Sequence, residues 1–346
     1  VFKIRQITDQ DKWQEFAKRL NYNTFLHSSQ WAQFNQKQGS SVWQFGLFEG
    51  QNLVSICLVI KVVARRGSFL LIPHGPQDDL SFATDFQIKA NILKSWTTHL
   101  EVIALEQKCD FIRIQPIVLK TELNQKLFND SGYRLAPIHV HTELTTLLNL
   151  DKTEKELLLG MRKTTRQMIK KAERMVDSGE IEVSFPKIID EQMHKVYQDT
   201  YIRGGAVAYG PEYINSEWET FSKTDNARLI VIKSKGKVYS WGLVLIFGKR
   251  AFYHQGGNVL DKHIPSSYLL QWNGIKFAIE RGCGSYDFWG VAPKDKQNHP
   301  WANISLFKRG FGGNDVELLH AQDYILTPKY WLNWVIEKYR AFRRGF

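Results

Sequence analysis

Cysteine is scarce in this chain. Cys57, Cys109 and Cys283 are the only three in 346 residues, and none stands in a CxxC pair. That excludes a disulfide framework and a cysteine-based zinc site. Long apolar runs are missing as well. The opening VFKIRQITDQDKW holds no continuous apolar stretch of signal-peptide length, and no run of about 18 apolar residues occurs anywhere. The expectation is a cytoplasmic protein. Nor does the chain carry a GxSxG elbow, a GxxxxGK(S/T) phosphate loop or an HExxH pair. Its ten histidines do not pair with cysteines or carboxylates at metal-ligand spacing. His139 and His141 alternate on an expected strand, and nothing beside them in sequence completes a site. No metal and no cofactor is expected.

What is present is the composition of an ordinary globular protein, 43% apolar and 23% charged. The length suits about two domains. Lys and Arg total 46 against 35 Asp and Glu, a net +11 that favours polyanionic partners.

One order of elements occurs twice. Phe2–Ile7 alternates as a strand, and Trp13, Phe16, Ala17 and Leu20 mark one face of a helix. Ser41–Phe48 and Leu53–Val63 form a hairpin across Glu49-Gly50-Gln51-Asn52. A helix over Phe86–Gln107 and a strand at Phe111–Gln115 follow. In the second half the same series runs through Ile181–Phe185, Asp190–Tyr201, Arg228–Ile232, Val238–Phe247, Arg250–Gln255, Ser266–Arg281 and Ser285–Gly290. The passages ALEQKCDFIRI and AIERGCGSYDFWG match in detail, the mark of a duplication. Strand, helix, antiparallel meander, long helix and strand is the order of GNAT-type acyltransferase domains. The expected fold is α+β, two GNAT-like domains in tandem with mixed sheets and packed helices. Residues 1–148 form the first, completed by a C-terminal helix at 319–346, and residues 149–318 the second. Thr327-Pro328 reads as N-cap and first helical residue of that last helix, which is expected to bury Trp331, Trp334 and Val335.

Between the halves, one helix is expected over Lys152–Asp177. Leu158, Met161, Thr165, Ile169 and Ala172 share one side, while Arg162, Arg166, Lys170 and Arg174 recur every fourth residue on another. Lys163 broadens that stripe, which suits a phosphate backbone as well as it suits a solvated face.

A CoA-dependent GNAT enzyme needs a glycine turn that cradles pyrophosphate ahead of a helix. RGFGGN at Arg309 and RGCGSY at Arg281 are the nearest runs, and both lack the final small residue. A different acyl donor is therefore expected. The segment Tyr286–Gly313, rich in Gly, Pro and aromatics, reads as a functional loop in which Phe307 and Lys308 set a cation beside a ring.

Taken together, MRKTTRQMIKKAER, SSYLLQWNGIKFAIERGCGSYDFWGV and HPWANISLFKRGFGG resemble the Fem family of peptidoglycan aminoacyltransferases. FLHSSQWAQFNQKQG, RGSFLLIPHGP and FIRIQP are weaker matches, and the likeness covers nearly the whole chain. It implies transfer of an amino acid from aminoacyl-tRNA to the stem peptide of a UDP-linked or lipid-linked peptidoglycan precursor, with no cofactor and no DNA. Many members carry a coiled-coil insertion in the second domain. Here the passage from Trp218 to Arg228 leaves no room for one, as in the shorter FemX-like members.

The resemblance also implies roles. Lys308 matches the family's functional lysine, a transition-state stabiliser, with Phe307 as its positioning neighbour. Lys37, Arg203, Tyr209, Tyr213 and Gln255 stand at or near precursor-binding positions. Tyr209 replaces an arginine that contacts the diphosphate in some members, and Gln255 falls where a tyrosine is expected after the third strand. Arg162, Lys163, Arg166, Lys170 and Arg174 are left for tRNA. The tail YWLNWVIEKYRAFRRGF, with Lys338, Arg340, Arg343 and Arg344 among aromatics, adds a peripheral contact with the inner membrane surface as a minor expectation. A CoA-type N-acyltransferase and a non-catalytic RNA-binding relative are the two alternatives.

Overall fold

In the computed structural model, which describes residues 2–20, 22–65, 67–78, 85–205 and 207–344, the alternating segments become two separate mixed sheets. One unit holds Val1–Glu143 with Glu317–Phe346, and the other holds Leu144–Val316. Arg66, which opens RGSFLLIPHGP, and the final Gly345 and Phe346 lie outside the described residues.

The first unit starts with β1 (Phe2–Gln6), α1 (Gln10–Arg19), α2 (Ser29–Lys37), β2 (Val42–Glu49), β3 (Asn52–Ala64), β4 (Gly67–Ile72) and β5 (Gln77–Asp78). It continues through α3 (Phe86–Glu106), β6 (Phe111–Ile114), α4 (Glu122–Asp130) and β7 (Arg134–Leu135). The second unit runs β8 (Leu144–Asn149), α5 (Glu154–Gly160), α6 (Lys163–Asp177), β9 (Glu182–Ser184), α7 (Glu191–Arg203) and α8 (Pro211–Phe221). Then come β10 (Ala227–Ser234), β11 (Lys237–Phe247), β12 (Arg250–Asn258), α9 (Ser266–Glu280), β13 (Ser285–Gly290), α10 (Ala302–Arg309) and β14 (Asn314–Glu317). The chain ends in the first unit with β15 (Gln322–Ile325) and α11 (Tyr330–Arg344).

The repeat seen in sequence is a repeat of topology. In each unit an antiparallel meander is followed by a long helix, and the next strand pairs in parallel with the last meander strand: β6 with β4, β13 with β12. The long helices end alike. The Cys109 N–H donates to Ala104 O at 2.8 Å and Cys283 to Ala278 O at 2.9 Å, with Lys108 (φ +55°) and Gly282 (φ +68°) left-handed between. This is the Schellman closure. It turns both buried cysteines toward their cores. In the first core Trp96, Leu100 and Ala104 of α3 pack on Val59, Leu70 and Ile112 of the sheet. In the second, Leu269, Ile275 and Ala278 of α9 meet Ile230, Val244 and Tyr286.

Several expectations need correction. The helix expected over Lys152–Asp177 is two helices, α5 and α6, parted at Met161 and Arg162. The Arg162 peptide N–H donates to Gly310 O at 2.9 Å in place of an intrahelical carbonyl, and a Cβ on Gly312 would lie 2.7 Å from Gly160 O. Close backbone contact with residues 310–312 thus interrupts the helix. β8, placed with the first domain by sequence, pairs with β13 in the second sheet. His139 and His141 lie in irregular backbone, not a strand. Helix α11 begins at Tyr330, because the Thr327 hydroxyl donates to Asp110 Oδ1 at 2.9 Å and Pro328 lies in a preceding turn. Trp331 and Val335 are exposed at 45% and 58%, so they are not that helix's buried face. Tyr330, Asn333 and Glu337 are.

Candidate active site

The second sheet opens at one point. Parallel pairing of β12 with β13 stops at Phe252 and Asp287, while β12 continues to Asn258. Against β8 the register of β13 shifts between Asp287 and Gly290. Trp289, inside the shift, has φ +62°, a left-handed conformation that a bulky residue keeps only when its surroundings hold it. Asp287 does the holding. Its Oδ1 accepts the Trp289 N–H at 2.8 Å and the Thr145 hydroxyl, and its Oδ2 accepts from Arg250 at 2.8 Å.

The turned backbone presents Gly290 O to Lys308, whose ammonium donates to it at 2.7 Å. Lys308 is 7% exposed. Burial pushes its pKa down to about 8, against the opposing pull of the Asp287 carboxylate. A cation therefore predominates at neutral pH, held by one carbonyl and retaining two N–H donors. The Phe-Lys segment, expected as a loop, is helix α10. Ser305 ties it to the segment that follows β13, its Oγ accepting Ala292 N–H at 2.7 Å while donating to Trp301 O at the start of the helix at 2.6 Å. Arg309 closes the C-terminal end by pairing with Asp315 at 2.9 Å. Phe307 meets Tyr268 and Phe311 edge to face at 5.0 and 5.3 Å, which fixes the helix face carrying Lys308.

A bulge in β12 builds the adjoining wall. Leu243 faces Gln255 and Val244 faces Tyr253, leaving His254 as the extra residue. Its ring lies edge-on to Trp289 at 5.6 Å, and its Nε2 is 2.7 Å from Glu217 Oε1. Gln255 donates to Glu217 Oε2 at 3.1 Å and accepts from the Tyr197 and Tyr201 hydroxyls at 3.0 and 3.4 Å. Tyr209 stacks on Tyr213 at 4.0 Å. Burial raises the phenol pKa of Tyr201, and the nearby Tyr209 and the Glu217 carboxylate add to the rise. Gly257 permits this assembly, since a Cβ there would lie 2.8 Å from the Tyr197 Cα of α7.

The residues singled out by sequence separate into groups. Tyr209, Tyr213 and Gln255 gather around Glu217. Gln255 lies inside the third strand, not after it, and is 4% exposed, so its amide spans buried partners where the resemblance implied precursor contact. Arg203, exposed at the end of α7, donates to Asn258 O and Oδ1, both at 2.9 Å. Lys37 ends α2 on the surface of the first unit. Of the basic stripe, Lys163, Lys170 and Arg174 are exposed on α6. Arg162 stands outside the helix as its N-cap residue, beside Gly310. Arg166 is half-buried and donates to Leu159 O at 3.0 Å, so it closes the end of α5 and does not present a free cation. Asp287, Trp289, His254 and Glu217 escaped the sequence reading. Glu217 did leave a signal: Ile214, Trp218 and Phe221 define a buried helix face on which it is the one acid.

Two α+β units of this topology define a tandem GNAT-like acyltransferase architecture. A solved tandem GNAT protein from clavulanic acid biosynthesis superposes with a TM-score of 0.55, at 8% identity over 95% of this chain and 99% of that one. The crystal structure of FemX superposes with a TM-score of 0.81, at 15% identity over 97% of this chain and all of that one. The profile of the FemAB family matches residues 8–188 and 211–338, and the chain belongs to that family. UDP-N-acetylmuramoylpentapeptide-lysine N(6)-alanyltransferase of Weissella viridescens is 21% identical over 337 residues, 94% of this chain and 96% of that protein.

Proposed function

We infer that this Fem-family aminoacyltransferase adds an amino acid to the stem peptide of a peptidoglycan precursor, taking it from aminoacyl-tRNA. The observation that carries the reading is the buried ammonium of Lys308, held by Gly290 O where β12 and β13 part. Aminolysis of an aminoacyl ester joins the acceptor nitrogen to the carbonyl carbon and breaks the bond to the ribose oxygen. The proton lost by the amine passes through the neighbouring ribose hydroxyl to the departing ribose oxygen, which leaves as the free hydroxyl, so the transfer needs no protein base. Negative charge gathers meanwhile on the former carbonyl oxygen. The two remaining donors of Lys308 stabilise that oxyanion, a contribution on the order of 10²–10³ in rate for one donor.

Arg162 and the exposed Lys163, Lys170 and Arg174 supply the contacts for the tRNA backbone. Arg162, the N-cap residue of α6, makes no capping hydrogen bond through its side chain, so its guanidinium at the positive end of the helix dipole adds to this basic surface. Tyr209, Tyr213 and Arg203 are the precursor side of the site. The exposed Trp331, Leu332, Val335, Tyr339 and Phe342 of α11, with Lys338, Arg340 and Arg343, suit the edge of an anionic bilayer that carries a lipid-linked acceptor.

The CoA reading is weaker. Both glycine runs nearest to a pyrophosphate turn lead into strands, RGCGSY into β13 and RGFGGN into β14. The test is label transfer from a mixture of aminoacyl-tRNAs to a UDP-linked muropeptide, with acetyl-CoA offered in parallel. Labelled peptide is the expected product. Acetylation without aminoacyl transfer, or tRNA binding with no transfer to soluble or lipid-linked acceptor, would overturn the assignment.

A further inference from the structure

Away from that chemistry, in the first unit, three side chains far apart in sequence converge. Glu143 Oε2 lies 2.8 Å from His320 Nδ1 and 3.5 Å from His139 Nδ1, and all three ligand atoms fall within 4.8 Å of one another. His139 and Glu143 stand four residues apart, but His320 precedes β15 and is 177 residues from Glu143, so the sequence shows a pair and not the group.

Each member except His139 is oriented by the backbone. His320 Nε2 is 2.9 Å from Ala136 O, a pure acceptor, so Nε2 carries the hydrogen and Nδ1 is aimed at the carboxylate. Glu143 Oε1 accepts the Ala321 N–H at 2.8 Å, which leaves Oε2 facing the two rings. These contacts are the outer-shell pattern that fixes tautomer and ring direction for a metal-binding histidine. With Nε2 protonated, the Nδ1 lone pair confronts a carboxylate oxygen, an arrangement that requires a cation between them. A proton fills that place at 2.8 Å. A metal fills it with bonds of about 2.0–2.2 Å and opens the N···O separation to about 3.3 Å. The three side chains are 34%, 15% and 32% exposed for His139, Glu143 and His320, so an ion has a way in and a fourth position is left to water.

The geometry points to a divalent transition-metal site formed by His139 Nδ1, Glu143 Oε2 and His320 Nδ1. Two imidazoles and one carboxylate suit zinc, with cobalt and nickel as substitutes, and not the all-oxygen preference of calcium or magnesium. Bound there, the ion links the segment Ala136–Glu143 to Leu318–Gln322, the two stretches where the chain leaves and re-enters this unit. The site owes nothing to Lys308 or to the reaction assigned above.

The test is titration of the chelator-treated full chain with zinc chloride, followed by calorimetry. One zinc per chain is expected, with affinity falling at least ten-fold in His139→Ala, His320→Ala and Glu143→Gln. His263→Ala, which removes an exposed histidine elsewhere, should bind as the wild type does. Should a variant fail to fold, the wild type decides alone. Zinc, but not magnesium, should raise its melting temperature in a concentration-dependent way. Cobalt should give a nitrogen/oxygen spectrum without thiolate bands, since the three cysteines are buried. Absence of stoichiometric zinc, unchanged affinity in the three variants, or thiolate bands with cobalt would overturn the proposal.

Discussion

Lys308 places a group with a pKa of about 8 where an oxyanion is expected to form, and two consequences follow from that one value. As a charge donor it works while protonated, so the transfer rate should show an alkaline limb centred near pH 8 in single-turnover assays. As a buried cation it also costs stability. Its folded value lies below the 10.5 of free lysine, so the unfolded chain binds more protons between about pH 8 and 10.5. Stability from this group therefore rises with pH across that window. Lys308→Met should be at least as stable as the wild type at pH 7, by on the order of 1–3 kcal/mol once the lost bond to Gly290 O is deducted. Melting curves of the two proteins should converge as pH rises toward 10. Phe307 and Lys308 were singled out from the sequence by the family resemblance, as neighbours in one short segment. The groups that aim them were not: Asp287 acts through a strand irregularity, and His254 reaches Glu217 only because a bulge turns it.

Among the elements, the meanders and long helices were readable because burial on one face imposes periods of two and 3.6. The break between α5 and α6 was not, because its cause is tertiary: a peptide N–H taken by Gly310 O. The apolar spacing from Leu158 to Ala172 runs through the break, so periodicity alone reports continuity. The two Schellman closures offer a cleaner comparison. Gly282 adopts its left-handed φ of +68° at no steric cost, whereas Lys108 adopts +55° with a Cβ to accommodate. Lys108→Gly should stabilise the first unit by about 0.5–1 kcal/mol, the residual of relieved strain over added chain entropy. Gly282→Lys should cost a similar amount. Urea midpoints of the two variants check both signs.

Across the whole molecule, the chain closes its first unit only when its end returns. Arg113 of β6, 1% exposed, pairs with Asp323 of β15 at 2.7 Å and with Glu337 of α11 at 2.9 Å, and Tyr330 donates to Asp323 at 3.0 Å. Asp323→Ala leaves that guanidinium buried beside a single carboxylate and should cost about 3–5 kcal/mol. Chemical denaturation followed by tryptophan fluorescence measures it, and a loss below about 1 kcal/mol would show that the ion cluster does not hold the terminal segment. The second unit, by contrast, is closed within one stretch of chain and carries the residues assigned to the reaction. The claim that joins fold to function is that Lys308 acts on the chemical step. Its most direct measurement is the single-turnover rate of aminoacyl transfer at saturating donor and acceptor, wild type against Lys308→Ala. A fall of about 10²-fold or more, with tRNA affinity unchanged, is the predicted result. An unchanged rate, or a loss wholly restored by raising the tRNA concentration, would contradict it and make Lys308 a phosphate contact.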